Sequence, residues 1–217
     1  MQKHIIKKKI LVFRSDKVGD LINTSSFLKS LKVNYENSEI TLICSLYNSV
    51  VAKDYKFIDK IIIYDKSFNL IKKLFFIFKF FLSNYDISVA IDGKNISYFI
   101  SVIANAKHKY VICFKKNKKI FGFSYYLYRP YLFICKFFFH TYVICSENYS
   151  DPLANKDFKN HYLTLFFYLF KKNNVNLIPH KHIYHLNSDS IDKYTAFFNN
   201  HINSKYIILH IDAKWDN

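Results

Sequence analysis

The chain has 217 residues, 51% of them hydrophobic and 22% charged, a balance that excludes a disordered chain and provides for a sizeable core. Its net charge of +16, from 32 Lys and Arg against 16 Asp and Glu, points to an anionic partner such as nucleic acid, a phosphorylated substrate or an acidic membrane surface. Only Arg14 and Arg129 are arginines, so the planar forks favoured by phosphate and base recognition are nearly absent, and an A/T-rich codon bias toward Lys, Asn, Ile, Phe and Tyr accounts for the charge equally well.

The four cysteines, Cys44, Cys113, Cys135 and Cys145, show no CxxC spacing and lie in apolar runs, as buried free thiols of a reducing compartment do. The N-terminal apolar run ends at Arg14-Ser15-Asp16, too soon for a signal peptide. The stretches Leu74–Leu82 and Tyr131–Cys145 are interrupted by Lys79 and Lys136, so neither reaches the roughly 18 uncharged apolar residues of a membrane span. A cytoplasmic protein is expected, with peripheral contact with an inner membrane left open.

Lys9 to Phe13 reads as a buried strand. A polar turn, Arg14-Ser15-Asp16-Lys17, leads through Val18-Gly19-Asp20 into a helix that carries Leu21, Thr24, Leu28 and Leu31 on one face. Glu39–Cys44 is a second strand, Ser49–Lys53 a short helix and Ile58–Tyr64 a third strand. This alternation predicts a parallel sheet with right-handed crossovers. Phe68–Leu82 is a helix of almost nothing but Phe, Leu, Ile and Lys. Burial between core elements is the expected reason for so wide an apolar face, and contact with a membrane the alternative. Tyr85–Asp92 is a fourth strand ending in an acid and Gly93, Asn95–Ala104 a helix, His108–Phe114 a fifth strand, and Lys115–Lys119 a basic loop. The aromatic region Phe121–Cys145 has no assignable period. Asp157–Lys172 is a helix, broken by Asn173–Pro179. After an extended His182–Leu186, Ser188 or Asp189 caps a helix to about Asn200, and Lys205–His210 is a further buried strand.

A strand, a tight loop and a helix beginning at that loop make the front of a βα unit, where an open α/β sheet binds its ligand. Asp20, beside Gly19 at the helix start, is a candidate general base whose charge the helix dipole complements. On local grounds alone a first-turn helix acid is the commoner role, and Asp16 reads as a turn residue. Arg14 and Lys17 either face phosphate or pair with these acids. His180, His182 and His185 lack a Cys or acid to complete a tetrahedral set, so no metal is expected. No GxGxxG or Walker A motif occurs.

The segment ILVFRSDKVGDLINTSSFLKSL resembles the N-terminal signature of the family 9 glycosyltransferases, the heptosyltransferases of lipopolysaccharide core synthesis. Arg14, Gly19, Asp20 and Thr24 match its positions, and Ser26 replaces a common family proline. EITLIC, FIDKIIIYDK, the stretch from SNYDISVAIDGK to KYVICF, and HYLTLFFYLFKKNNV resemble successive later elements, and KYIILHIDAKW resembles the opening of a second domain. The resemblance implies the Rossmann-like N-terminal domain of a GT-B fold over residues 1–179, a parallel sheet flanked by helices. It implies that residues 180–217 are a linker and the first strand of a largely missing nucleotide-sugar-binding domain. It also implies an inverting transfer, without a cofactor or essential metal, from a nucleotide-diphosphate sugar such as ADP-heptose to a glycan or lipid-linked acceptor. Asp20 is then the general base, Arg14, Lys17, Gly19 and Thr24 bind acceptor or phosphate, and Lys214 contacts the donor. Two alternatives stay open: a non-catalytic acceptor-binding domain, and a basic Rossmann-like module on an anionic membrane or nucleic acid, although no specific nucleic acid is expected.

Overall fold

Five consecutive residues of the first strand, Ile10 to Arg14, are buried, and a strand covered on both faces belongs in the middle of a sheet. The structure, a computed structural model, describes residues 7–120, 123–129, 132–145 and 161–180. The elements in order are β1 (Lys9–Arg14), α1 (Val18–Asn34), β2 (Glu39–Cys44), α2 (Leu46–Ala52), β3 (Lys60–Ile63), α3 (Leu70–Phe81) and β4 (Asn84–Ala90). They continue with α4 (Asn95–Ile103), β5 (Asn105–Ile120), β6 (Phe123–Arg129), α5 (Leu132–Phe138), β7 (Thr141–Cys145) and α6 (His161–Lys171).

The sheet runs β3-β2-β1-β4-β5, all parallel, with β7 added in parallel to Tyr110–Phe114 in the middle of β5. The fold is therefore α/β and Rossmann-like, as expected. Side chains alternate across β1. Ile10 and Val12 join a core with Leu21, Phe27 and Leu28 of α1 and Phe166 and Phe170 of α6. Leu11 and Phe13 join a second core with Phe76 and Phe80 of α3, Tyr98 and Ile100 of α4, and Cys135 of α5. Each fully buried apolar side chain of this kind contributes about 1.5–3 kcal/mol. The helices thus form two layers, α1, α2 and α6 on one face and α3, α4 and α5 on the other. The chain leaves β1 toward the first layer and β4 toward the second. Neighbouring strands whose connections diverge in this way open a crevice at their C-terminal ends.

Two expectations are corrected. Lys115–Lys119 is not a loop. It continues β5 to Ile120 and pairs antiparallel with β6, Phe114 opposite Arg129 through Ile120 opposite Phe123. No Gly or Pro interrupts residues 114–120, and the partner run FSYYLYR is rich in residues that favour strands. The aromatic region, to which the sequence assigns no period, holds β6, α5 and β7. The second correction concerns α3, which buries only Phe76 and Phe80 and exposes most of its other apolar side chains. The short second helix starts earlier than expected, at Leu46, because the Ser45 hydroxyl accepts the Asn48 N–H (3.3 Å) and caps it. Among the described residues Cys44, Cys113 and Cys135 are buried thiols, and Cys145 is a half-buried one. The expected elements in 181–217, and with them the linker and second-domain strand, lie outside the described residues.

Candidate active site

The crevice is built by two corners, β1–α1 and β4–α4, which the order of strands brings together from positions 77 apart in sequence. Arg14 ends β1 with 2% of its surface exposed. Its Nη1 donates to the Ile91 carbonyl (2.9 Å), tying the ends of the two strands. Its Nη2 lies 3.6 Å from Asp20 Oδ1, and its Nε lies 3.2 Å from Asp16 Oδ1. The Asp16 contact is off-line, a Coulombic contact rather than a directed hydrogen bond. The guanidinium carbon sits 5.9 Å from the centre of the Phe166 ring. From α2, Asn48 Nδ2 donates to the Arg14 carbonyl (3.0 Å) and fixes the last residue of the strand.

Asp92 fastens the second corner to the first. Its Oδ2 accepts the Ser15 N–H (3.1 Å), the Ser15 hydroxyl (2.7 Å) and the Ser97 hydroxyl (2.7 Å), and its Oδ1 accepts the Lys94 N–H (3.2 Å). A carboxylate so fully engaged is a strut between loops. Gly93 turns the chain there at a left-handed φ of 68°, and a β-carbon on it would come within 2.9 Å of the Phe114 ring, so both backbone and space require glycine. Lys94 Nζ donates to the Ser15 carbonyl, closing the crevice floor. Burial holds its ammonium pKa below the ordinary range, and the facing Asp92 and Asp16 offset part of that shift.

Asp20 stands in the first turn of α1 with 39% of its side chain exposed. Lys17, exposed at the N-cap, makes no side-chain cap, so nothing from it covers the first N–H groups of the helix. Nothing lies within 4 Å of where a β-carbon on Gly19 would be, so glycine here leaves room in front of the helix rather than bending the chain. Thr24 is buried and donates its hydroxyl to the Asp20 carbonyl (2.7 Å), holding the turn that carries the acid rather than facing the crevice.

The structure thus brings Arg14, Lys17, Gly19, Asp20 and Thr24 into one corner, while Lys214, His182 and His185 lie outside the described residues. It adds Asp16, Asp92, Lys94 and Asn48. Burial pushes the Asp16 carboxyl up to about 7. Arg14 opposes the rise, and the charges of Asp20 and Asp92 add to it. Its position on the turn gives no hint of this. The sequence signal for Asp92 is an acid followed by glycine at the end of a strand, which gains meaning only once β4 is known to lie beside β1.

No family model and no curated protein matches the sequence. Solved structures do. A family 9 glycosyl transferase from Veillonella parvula DSM 2008 superposes with a TM-score of 0.64 at 14% identity over 93% of this chain and 51% of its own. The chain shares its fold. E. coli ADP-heptose lipopolysaccharide heptosyltransferase II gives 0.54 at 12% identity over 91% of this chain and 51% of its own. E. coli heptosyltransferase WaaC, solved with ADP, gives 0.52 at 12% identity over 80% of this chain and 49% of its own. The chain spans about half the length of the structures it matches. WaaC has also been solved with ADP-2-deoxy-2-fluoro heptose.

Proposed function

We propose that the β1–α1 corner is the acceptor side of an inverting, heptosyltransferase-like glycosyltransferase, with Asp20 as its general base. The observation that carries the reading is the Asp20 carboxylate itself. It is part-exposed at the crevice, set in the first turn of a helix, with open space in front of the neighbouring Gly19 and the Arg14 guanidinium 3.6 Å behind it. Such a carboxylate can reach an incoming hydroxyl. In the proposed step it takes the acceptor hydroxyl's proton as that oxygen attacks the anomeric carbon of a nucleotide-diphosphate sugar. The new C–O bond forms on the face opposite the leaving group, and the diphosphate departs with the electron pair of the broken bond. Arg14 is buried and touches both acids, so it sets the field at Asp20 rather than reaching substrate. Lys17 is exposed at the mouth and suits an acceptor phosphate. Lys94 is held below the ordinary lysine range by burial and completes the polar floor.

Transfer also needs a nucleotide-sugar site. In this reading the chain acts together with a donor-binding half, and Lys214 belongs to that side. Support comes from the shared fold and from the neighbours solved with ADP and an ADP-heptose analogue. The test is a transfer assay with the donor half supplied, using ADP-heptose and a phosphorylated core glycan. Asp20→Asn should slow turnover roughly 100-fold or more, the contribution of a positioned base, while acceptor affinity measured by calorimetry stays within about threefold. Undiminished turnover in Asp20→Asn contradicts the assignment.

A further inference from the structure

The outer surface of the α3–α4–α5 layer is apolar where a water-facing helix layer is normally polar. On α3, Phe76 and Phe80 point into the core, and the opposite side of the helix presents Ile71, Phe75, Phe78 and Leu82. Ile71 is 64% exposed, Phe75 72% and Phe78 55%. The layer continues with Phe99 of α4 and with Phe133 and Phe137 of α5, the last 82% exposed. Exposed aromatic and aliphatic side chains recur on all three helices of the layer, and α3 packs against α4, which sets them apart from the singly scattered apolar residues that any surface carries. The charges on these helices are all of one sign. Lys72 and Lys79 border the apolar side of α3, Lys136 lies among the phenylalanines of α5, and none of the three helices contains an acid.

We propose that this layer docks on an anionic lipid bilayer surface, with α3 lying flat at the headgroup boundary. An apolar partner groove would match the phenylalanines but not the lysines. A surface of acidic headgroups over acyl chains matches both, and a chain of net charge +16 is drawn toward it. α3 has 12 residues, and no described helix is long and apolar enough to cross a membrane, so contact from one side is the geometry available. Lysine stems can lie along an apolar helix side and carry their ammonium groups to the level of the headgroup phosphates. The proposal concerns the layer alone and does not rest on the transferase reading.

Flotation of the full chain with vesicles tests it. Vesicles of phosphatidylcholine with about one third phosphatidylglycerol should carry the protein up the gradient at low salt, pure phosphatidylcholine vesicles should not, and high salt should weaken the binding. Phe75→Ser with Phe78→Ser should reduce the bound fraction roughly tenfold or more. Lys72→Gln with Lys79→Gln should reduce affinity about fivefold per lysine and leaves every apolar side chain in place. Thermal unfolding followed by circular dichroism checks that both variants fold, and the lysine pair decides if the phenylalanine pair does not. Failure of the wild-type chain to float with anionic vesicles at low salt overturns the proposal. So does binding unchanged in both variants, or a concentration-dependent dimer that the phenylalanine variant dissolves without any vesicle binding.

Discussion

The two helix layers teach opposite lessons about what a helix hides. α1 carries Thr24, Ser25, Ser26 and Ser30, residues that suit a solvated helix, yet all four are buried. The residues that follow α6 lie over Ser26 and Ser30. The Ser30 hydroxyl lies within donating distance of the carbonyls of Ser26 (2.8 Å) and Ile178 (2.5 Å), and the Ser26 hydroxyl donates to the His180 carbonyl and lies 3.2 Å from its N–H. Small hydroxylated side chains let a covering segment approach closely and satisfy its backbone. α3 carries Phe, Leu and Ile, residues that suit a buried helix, and most of them face outward. In α1 the polar groups are consumed inside the protein. In α3 the apolar groups are offered outside it. The crevice belongs with α1, whose first turn carries Asp20 and whose buried residues pack against the sheet and α6.

The difference can be broken from either layer. The largest effect should come from Phe27→Ala. Phe27 is fully buried, 5.2 Å from the Phe166 ring and 5.6 Å from the Phe170 ring, and truncation should cost about 3–5 kcal/mol in urea unfolding. Phe78→Ala on α3, the same chemical change, should stay within about 0.5 kcal/mol in the absence of lipid. A loss of more than about 2 kcal/mol there would mean that the outer side of α3 is covered in solution.

A smaller effect sharpens the crevice side. The folded chain holds a proton on Asp16 up to about pH 7, whereas an unfolded aspartate releases it near 3.8. Between those values the folded state binds more protons. The contribution is fully present below pH 3.8 and is lost as pH rises through about 7, with a slope of at most ~1.4 kcal/mol per pH unit. Asp16→Asn should therefore gain stability over wild type as pH is raised from 5 to 8. A constant difference across that window would show that the carboxyl is not held neutral by burial. Smaller still, Ser30→Ala removes the hydroxyl beside the part-buried Ile178 carbonyl and should cost about 0.5–1 kcal/mol, with faster amide exchange over residues 175–180.

Much of the architecture was legible in the sequence. The alternation of strands and helices from Lys9 to Phe114 identified a parallel α/β sheet, and the polar turn after Phe13 marked the corner where the crevice lies. Asp92 was legible as an acid at a strand end, but its hydrogen bonds to Ser15 depend on β4 lying beside β1, a long-range pairing that local pattern does not specify. The outward side of α3 is hidden from the sequence for a different reason. Periodicity locates an apolar face, but it does not determine whether core, partner or solvent meets that face. Lys115–Lys119 reads as a loop on charge alone, yet a two-stranded ribbon readily places lysines on a paired strand.

The assignment of chemistry to this corner rests on which of two acids, four residues apart, accepts the acceptor's proton. The most direct measurement is the single-turnover transfer rate of Asp20→Asn beside Asp16→Asn, with the donor half supplied and acceptor saturating. Asp20→Asn should fall roughly 100-fold or more and Asp16→Asn by less than about tenfold, because Asp16 is largely covered beside Arg14 while Asp20 opens on the crevice. The reverse order would contradict the account and place the base on the buried acid of the turn.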